Sequence, residues 1–252
     1  MPPAPVLLHG FSATSLAWGR AVVEGLASGV GPPVLLDAPG HGARADAEAG
    51  AFDLEAVHAA ISAALGPEPS PLIGYSMGGR LALSFAAAHP GRVSRLVLES
   101  ASPGLADPAE RAARRDADET LAARIEEWGM EWFVDYWDGL PLFESRQAVP
   151  GPERARQRAL RLANRPGGLA RALRRLGTGA LPPVWDDLPG TTVPTLLIVG
   201  ALDRKFVAVA EAMAERLPDA RTVVVPDAGH TVHLERPGAW LDAVVRFLQT
   251  GA

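Results

Sequence analysis

Gly74-Tyr75-Ser76-Met77-Gly78 sets a serine between two glycines, after the apolar run Pro71 to Gly74 and ahead of the helical run Met77 to Ala88. A sharp strand-to-helix turn needs small residues beside its apex, and it thrusts the apical hydroxyl out above a sheet. The helix N-terminus behind it supplies free N–H groups and positive potential. A serine hydroxyl is a weak base and a weak nucleophile until a neighbour takes its proton. His230, in Asp227-Ala228-Gly229-His230, follows the apolar run Arg221 to Val225 and can be that neighbour. Asp203, in Gly200-Ala201-Leu202-Asp203, follows another apolar run and fits the chain order Ser, Asp, His. Its carboxylate would hold the imidazole in one tautomer. Asp227 is a rival acid, although its closeness to His230 suits a local turn cap better, and His233 reads as structural.

His9-Gly10-Phe11 follows the first apolar run. The N–H groups of Phe11 and Met77 are the candidate pair of oxyanion donors, each such donor being worth about 2.7–4 kcal/mol of barrier. His9 itself and the segment Asp37-Ala38-Pro39-Gly40-His41-Gly42 read as turn-forming. No histidine has metal-ligand spacing, so no metal is expected.

The elements that must position these groups show as short apolar runs, Val6 to Leu8, Pro33 to Leu36, Pro71 to Gly74, Val93 to Leu98, Thr195 to Val199 and Arg221 to Val225. Near-continuous apolar runs suit parallel strands covered on both faces. Between them, Leu16 to Ala27, Leu54 to Leu65, Met77 to Ala88, Val207 to Leu217 and Ala239 to Leu248 have helical spacing. The alternation implies an α/β fold, a doubly wound, mostly parallel sheet of the α/β-hydrolase type. The rhythm breaks between Ser100 and Leu188, where helical patterns run over Pro108 to Trp128, Glu131 to Trp137, Glu153 to Ala163 and Leu169 to Leu176. The expected organisation is a core of residues 1–100 and 189–252 with a helical cap, 101–188, inserted after a core strand. The cap holds four of the six tryptophans, and from Arg146 to Arg175 it carries nine arginines against Glu153 alone. Those arginines suit either solvated helix faces or a pocket that holds an anion.

The 252-residue chain is long enough to bury a core without staples. Its net charge of −5 argues against a nucleic-acid partner. With no cysteine there is neither a thiolate nucleophile nor a Cys-ligated zinc. The N-terminal segment has no charged n-region, and no run reaches 18 apolar residues, so no membrane insertion is expected and the cytoplasm is the default location.

The elbow continues as Gly74-Tyr75-Ser76-Met77-Gly78-Gly79-Arg80. Further on come Pro103-Gly104-Leu105, Glu110-Arg111, Asn164-Arg165-Pro166-Gly167-Gly168-Leu169, Gly200-Ala201-Leu202-Asp203-Arg204-Lys205-Phe206 and Ala228-Gly229-His230. Together, across almost the whole chain, they resemble the 2-succinyl-6-hydroxy-2,4-cyclohexadiene-1-carboxylate synthases of menaquinone biosynthesis. The resemblance implies a lyase that needs no cofactor and eliminates pyruvate from an enolpyruvyl ether carrying three carboxylates. It implies substrate-binding roles for Arg80, Arg114, Arg161, Tyr75 and Trp137, since a guanidinium presents a planar fork matched to a carboxylate. It also implies that Ser76 works as a general base rather than as an acylated nucleophile. The strand pair that precedes the first strand in many α/β hydrolases is expected to be truncated here. That leaves a sheet edge open or covered by another chain, and a monomer or a homo-oligomer equally open. Lys205, the only lysine, is expected in a salt bridge. A serine ester or C–C bond hydrolase with the same triad is the main rival, and a non-catalytic receptor on the same scaffold a weaker one.

Overall fold

The computed structural model describes residues 3–250. Six strands form one all-parallel sheet in the order β2-β1-β3-β4-β5-β6. They are β1 (Val6–Leu8), β2 (Val34–Leu36), β3 (Ser70–Tyr75), β4 (Val93–Glu99), β5 (Thr195–Gly200) and β6 (Ala220–Val225). Each apolar run noted in the sequence is one of these strands. The unbroken apolar character of β1 and β5 has a direct cause, because every residue of both is buried. One face packs on α2 (Leu54–Leu65) and α3 (Met77–Ala88), with Leu81, Phe85 and Ile61 as anchors. The other packs on α1 (Gly19–Gly29) and the last helix, α8 (Pro237–Gln249), around Trp18, Trp240 and Phe247.

Several helix boundaries differ from the sequence expectation, and two of them have clear local reasons. The run from Leu16 is split: Ser15–Trp18 is a 3-10 turn, and α1 starts only after Gly19 swings the chain through φ 74°. α7 (Arg204–Ala214) begins three residues earlier than its apolar spacing suggests, because the Asp203 carboxylate caps it by accepting the Phe206 N–H at 3.3 Å.

The interruption after β4 is all helix, as expected: α4 (Pro108–Asp138), a 3-10 segment (Pro141–Ala148), α5 (Gly151–Leu162) and α6 (Pro166–Leu176). Gly129, at φ 77°, kinks α4 where the sequence suggested two helices. α4 and α6 close over their own small core of Ile125, Phe133, Val134, Leu169 and Leu173. The cap thus has an interior separate from the sheet, and the space between the two is where the chemistry-bearing side chains meet.

Candidate active site

Ser76 sits at the apex between β3 and α3 with φ 52° and ψ −109°, a strained conformation for a residue with a side chain. The flanking glycines permit it. A Cβ on Gly78 would strike the carbonyls of Leu8 and His9, and one on Gly74 would strike Gly78. The turn aims the Ser76 hydroxyl at His230, whose Nε2 lies 3.0 Å from Oγ. Nδ1 of His230 is 2.6 Å from Oδ2 of Asp203. His230 and Asp203 are both buried, so this chain of contacts is shielded from water and its electrostatics are strengthened. The loop that carries His230 is pinned on both sides, because the Glu235 carboxylate accepts the Gly229 N–H at 2.6 Å and the Thr231 N–H at 3.0 Å.

Asp227 is exposed, at φ 53°, and faces Arg236 at 3.8 Å rather than His230. His233 is buried against Glu99, with Nδ1 at 2.9 Å, and packs on Trp18. Both therefore stand apart from the serine. His9 accepts the Ala38 N–H at 3.1 Å, and Asp37 accepts those of Ser15 and Ala43, so these side chains build the turns beneath the site. Burial holds His9 below the usual imidazole range and takes His41, with help from neighbouring His9, down to about 3.

Above the serine, core and cap enclose a cavity of about 1000 Å³. Phe11, Ser76, Met77, Tyr75, Trp137, Arg80, Arg114 and His230 all line it. Among the described residues the N–H groups of Phe11 and Met77 have no protein acceptor. Trp137 comes down from the cap to meet Phe11 edge-on at 5.3 Å. Arg80 is one helical turn beyond Ser76, its own N–H bonded to the Ser76 carbonyl at 3.0 Å. Its guanidinium donates to Thr178 Oγ1 at 2.8 Å and to the Leu176 carbonyl at 2.9 Å, but Nε is buried without a partner. Burial, aided by nearby Arg114, pulls the Arg80 guanidinium down to about 10. An anion would relieve that electrostatic cost. Arg114 donates from Nε to Asp118 at 2.9 Å, and burial pushes the Asp118 carboxyl upward despite that partner.

Two expectations need correction. Arg161 does not line the serine's cavity. It lies behind Tyr75, where a small cavity of about 20 Å³ and an outer pocket of about 350 Å³ meet it, and it pairs with Asp138 at 2.7 Å. Its place in the last turn of α5 and its ion pair with Asp138, at the end of α4, hold the guanidinium there. Lys205 is in no ion pair among the described residues; it is exposed on the rim of the main cavity instead. Sequence reasoning also missed Phe143 and Arg146. Phe143 lines the cavity beside Trp137, and Arg146 reaches Tyr75 from behind. Arg146 stood in the arginine-rich run of the cap, but helical spacing cannot single out a residue in a 3-10 segment.

A model of the alpha/beta hydrolase family matches residues 6–244. A provisionally named 2-succinyl-6-hydroxy-2,4-cyclohexadiene-1-carboxylate synthase of Bacillus subtilis is 41% identical over 97% of this chain and 90% of its own length. The synthase of that name from Klebsiella pneumoniae subsp. pneumoniae is 31% identical over 98% of this chain and 94% of its own. The chain belongs to this synthase family. Among solved structures, MenH from S. aureus superposes with a TM-score of 0.89 at 32% identity, covering 99% of this chain and 94% of that one. A thermophilic esterase from Thermogutta terrifontis superposes at 0.75 with 28% identity, covering 98% and 90%. The fold is therefore the α/β-hydrolase fold. Among the described residues no helix is long and apolar enough to cross a membrane.

Proposed function

We propose that this chain eliminates pyruvate from 2-succinyl-5-enolpyruvyl-6-hydroxy-3-cyclohexene-1-carboxylate to give 2-succinyl-6-hydroxy-2,4-cyclohexadiene-1-carboxylate, with Ser76, His230 and Asp203 as its catalytic triad. The observation that carries the reading is the buried Arg80 guanidinium in one cavity with the serine. A neutral ester gains nothing from such a group, which bears a desolvation cost when no anion pairs with it. A substrate with three carboxylates turns that cost into recognition, with Arg80 and Arg114 as the carboxylate anchors and Tyr75 and Trp137 as walls.

The steps follow from the contacts. His230, oriented by Asp203, draws the hydroxyl proton of Ser76, and the serine oxygen removes the proton from the ring carbon that bears the succinyl group. That carbon's electrons form a double bond to the next ring carbon. The existing ring double bond shifts by one position and expels the enolpyruvyl oxygen, which leaves as the enolate of pyruvate and is protonated by solvent; the ring proton restores the Ser76 hydroxyl, and His230 gives its proton up to solvent. Negative charge that builds on the succinyl carbonyl is met by the N–H groups of Phe11 and Met77. No acyl-enzyme forms.

The test is pyruvate release from the enolpyruvyl substrate, read by coupling to lactate dehydrogenase. Wild type should turn over, and Ser76→Ala should lose about 1000-fold or more, the scale seen when a member of such a unit is removed. An enzyme that leaves this substrate untouched yet gives a stoichiometric burst from nitrophenyl esters would be a covalent esterase.

A further inference from the structure

Arg146 belongs to the cap, in the 3-10 segment Pro141–Ala148, yet its side-chain hydrogen bonds are with the core. Nε donates to Thr231 Oγ1 at 2.8 Å, and Nη2 donates to the Tyr75 hydroxyl at 3.1 Å. The two acceptors are themselves 2.9 Å apart and close a three-membered ring of polar groups. Tyr75 immediately precedes Ser76, and Thr231 immediately follows His230. One guanidinium of the cap therefore ties together the backbone neighbours of both reacting residues. Its plane is fixed by Phe143, whose ring centre is 3.7 Å from the guanidinium carbon. That same ring meets the His230 ring edge-on at 5.8 Å. Arg146 thus bears on His230 by two routes, through Thr231 and through Phe143. It is absent from the lining of the serine's cavity, so it is not placed to touch the substrate. Nor does it have a carboxylate partner among the ion pairs of the described residues, which leaves this polar ring as its main attachment.

We propose that Arg146 is a positioning residue, a clasp by which the seated cap holds Ser76 and His230 at hydrogen-bonding distance. The inference rests on the reading of Ser76 and His230 as the reacting pair. Without the clasp, Tyr75 and Thr231 keep only each other, Phe143 loses the cation that orders it, and the gap between Oγ and Nε2 widens. Proton transfer over such a gap is steeply sensitive to distance.

Two readouts on the full-length protein test this. One is steady-state pyruvate release. The other is the rate at which phenylmethanesulfonyl fluoride captures Ser76, followed by mass. That capture needs the serine–histidine contact but none of the substrate's carboxylates. Arg146→Met should slow both capture and kcat about tenfold while KM stays within about threefold, because the loss is one of alignment. Added guanidinium ion should restore part of the capture rate in Arg146→Ala, and thermal melting should show both variants folded. Thr231→Val by itself should slow both capture and kcat, and adding Arg146→Met to it should cost little more, because both changes open the same clasp. A variant with capture and kcat within about twofold of wild type, or one whose loss lies entirely in KM, overturns the inference. If wild type releases no pyruvate yet Arg146→Met slows capture, the clasp stands and the substrate assignment falls. If pyruvate is released and capture is unchanged, the reverse holds.

Discussion

Replacing Arg80 with methionine should separate stability from activity. The side chain is buried, and burial pulls its guanidinium from its ordinary value down to about 10, so the fold disfavours the charged form. At 1.36 kcal/mol per pKa unit, that is about 3 kcal/mol of strain in the free protein at neutral pH. Methionine relieves it and fills similar space, but it forfeits the bonds to Thr178 and Leu176, about 1 kcal/mol each. The net change in stability should therefore lie between neutral and about 1–2 kcal/mol stabilising. Catalysis moves the other way. A hydrogen bond from a guanidinium to a carboxylate is worth about 1.5–3 kcal/mol, so kcat/KM should fall about 10- to 100-fold. Urea unfolding and coupled pyruvate release on the same preparation read both numbers. A variant that keeps kcat/KM within about threefold, or one that unfolds more readily by several kcal/mol, would refute this reasoning.

Other outcomes follow from the same contacts. Stability should drop between pH 7 and pH 5: His41 and His58 are held neutral by burial, at about 3 and about 4, while the unfolded imidazoles take up protons below 6.5. Their contribution is full above 6.5 and is lost as pH falls toward those lowered values, about 2 kcal/mol per histidine by pH 5. Denaturant titrations at the two pH values check it, and equal midpoints would contradict it. His58→Gln, which can still meet Ser84, should remove about half of that acid sensitivity. Gly78→Ala should cost about 3 kcal/mol or more, because its Cβ meets backbone carbonyls that cannot step aside, and a melting temperature equal to wild type would sink that expectation. In the proposed mechanism Phe11 and Met77 act through backbone N–H groups, so truncating the Phe11 side chain should raise KM more than it lowers kcat, and a pure kcat defect would argue for another role.

The sheet and the serine elbow were legible because their causes are local. Apolar runs such as Thr195 to Val199 are buried from end to end, and Gly74 is forced by its approach to Gly78 four residues on, although Gly78 itself answers to Leu8 and His9 far back in the chain. Asp203 and His230 could be found because each follows a strand at the edge where such sheets place their sites. The cap was harder. Its helices show in the periodicity, but which arginine faces which cavity depends on the Gly129 kink and on the 3-10 segment, both set by tertiary packing. Arg161 was therefore assigned to the wrong cavity. Arg146, whose role depends on Tyr75 and Thr231 being neighbours across the fold, could not be chosen from the run at all.

The central question is whether the serine oxygen removes a proton or attacks a carbonyl. It is answered by single turnover of substrate deuterated at the ring carbon that bears the succinyl group, with the intact mass of the protein followed in parallel. Proton abstraction by Ser76 requires a primary isotope effect on pyruvate formation and a protein mass that never changes. A rate insensitive to deuterium, accompanied by a transient acyl adduct on Ser76, would contradict it.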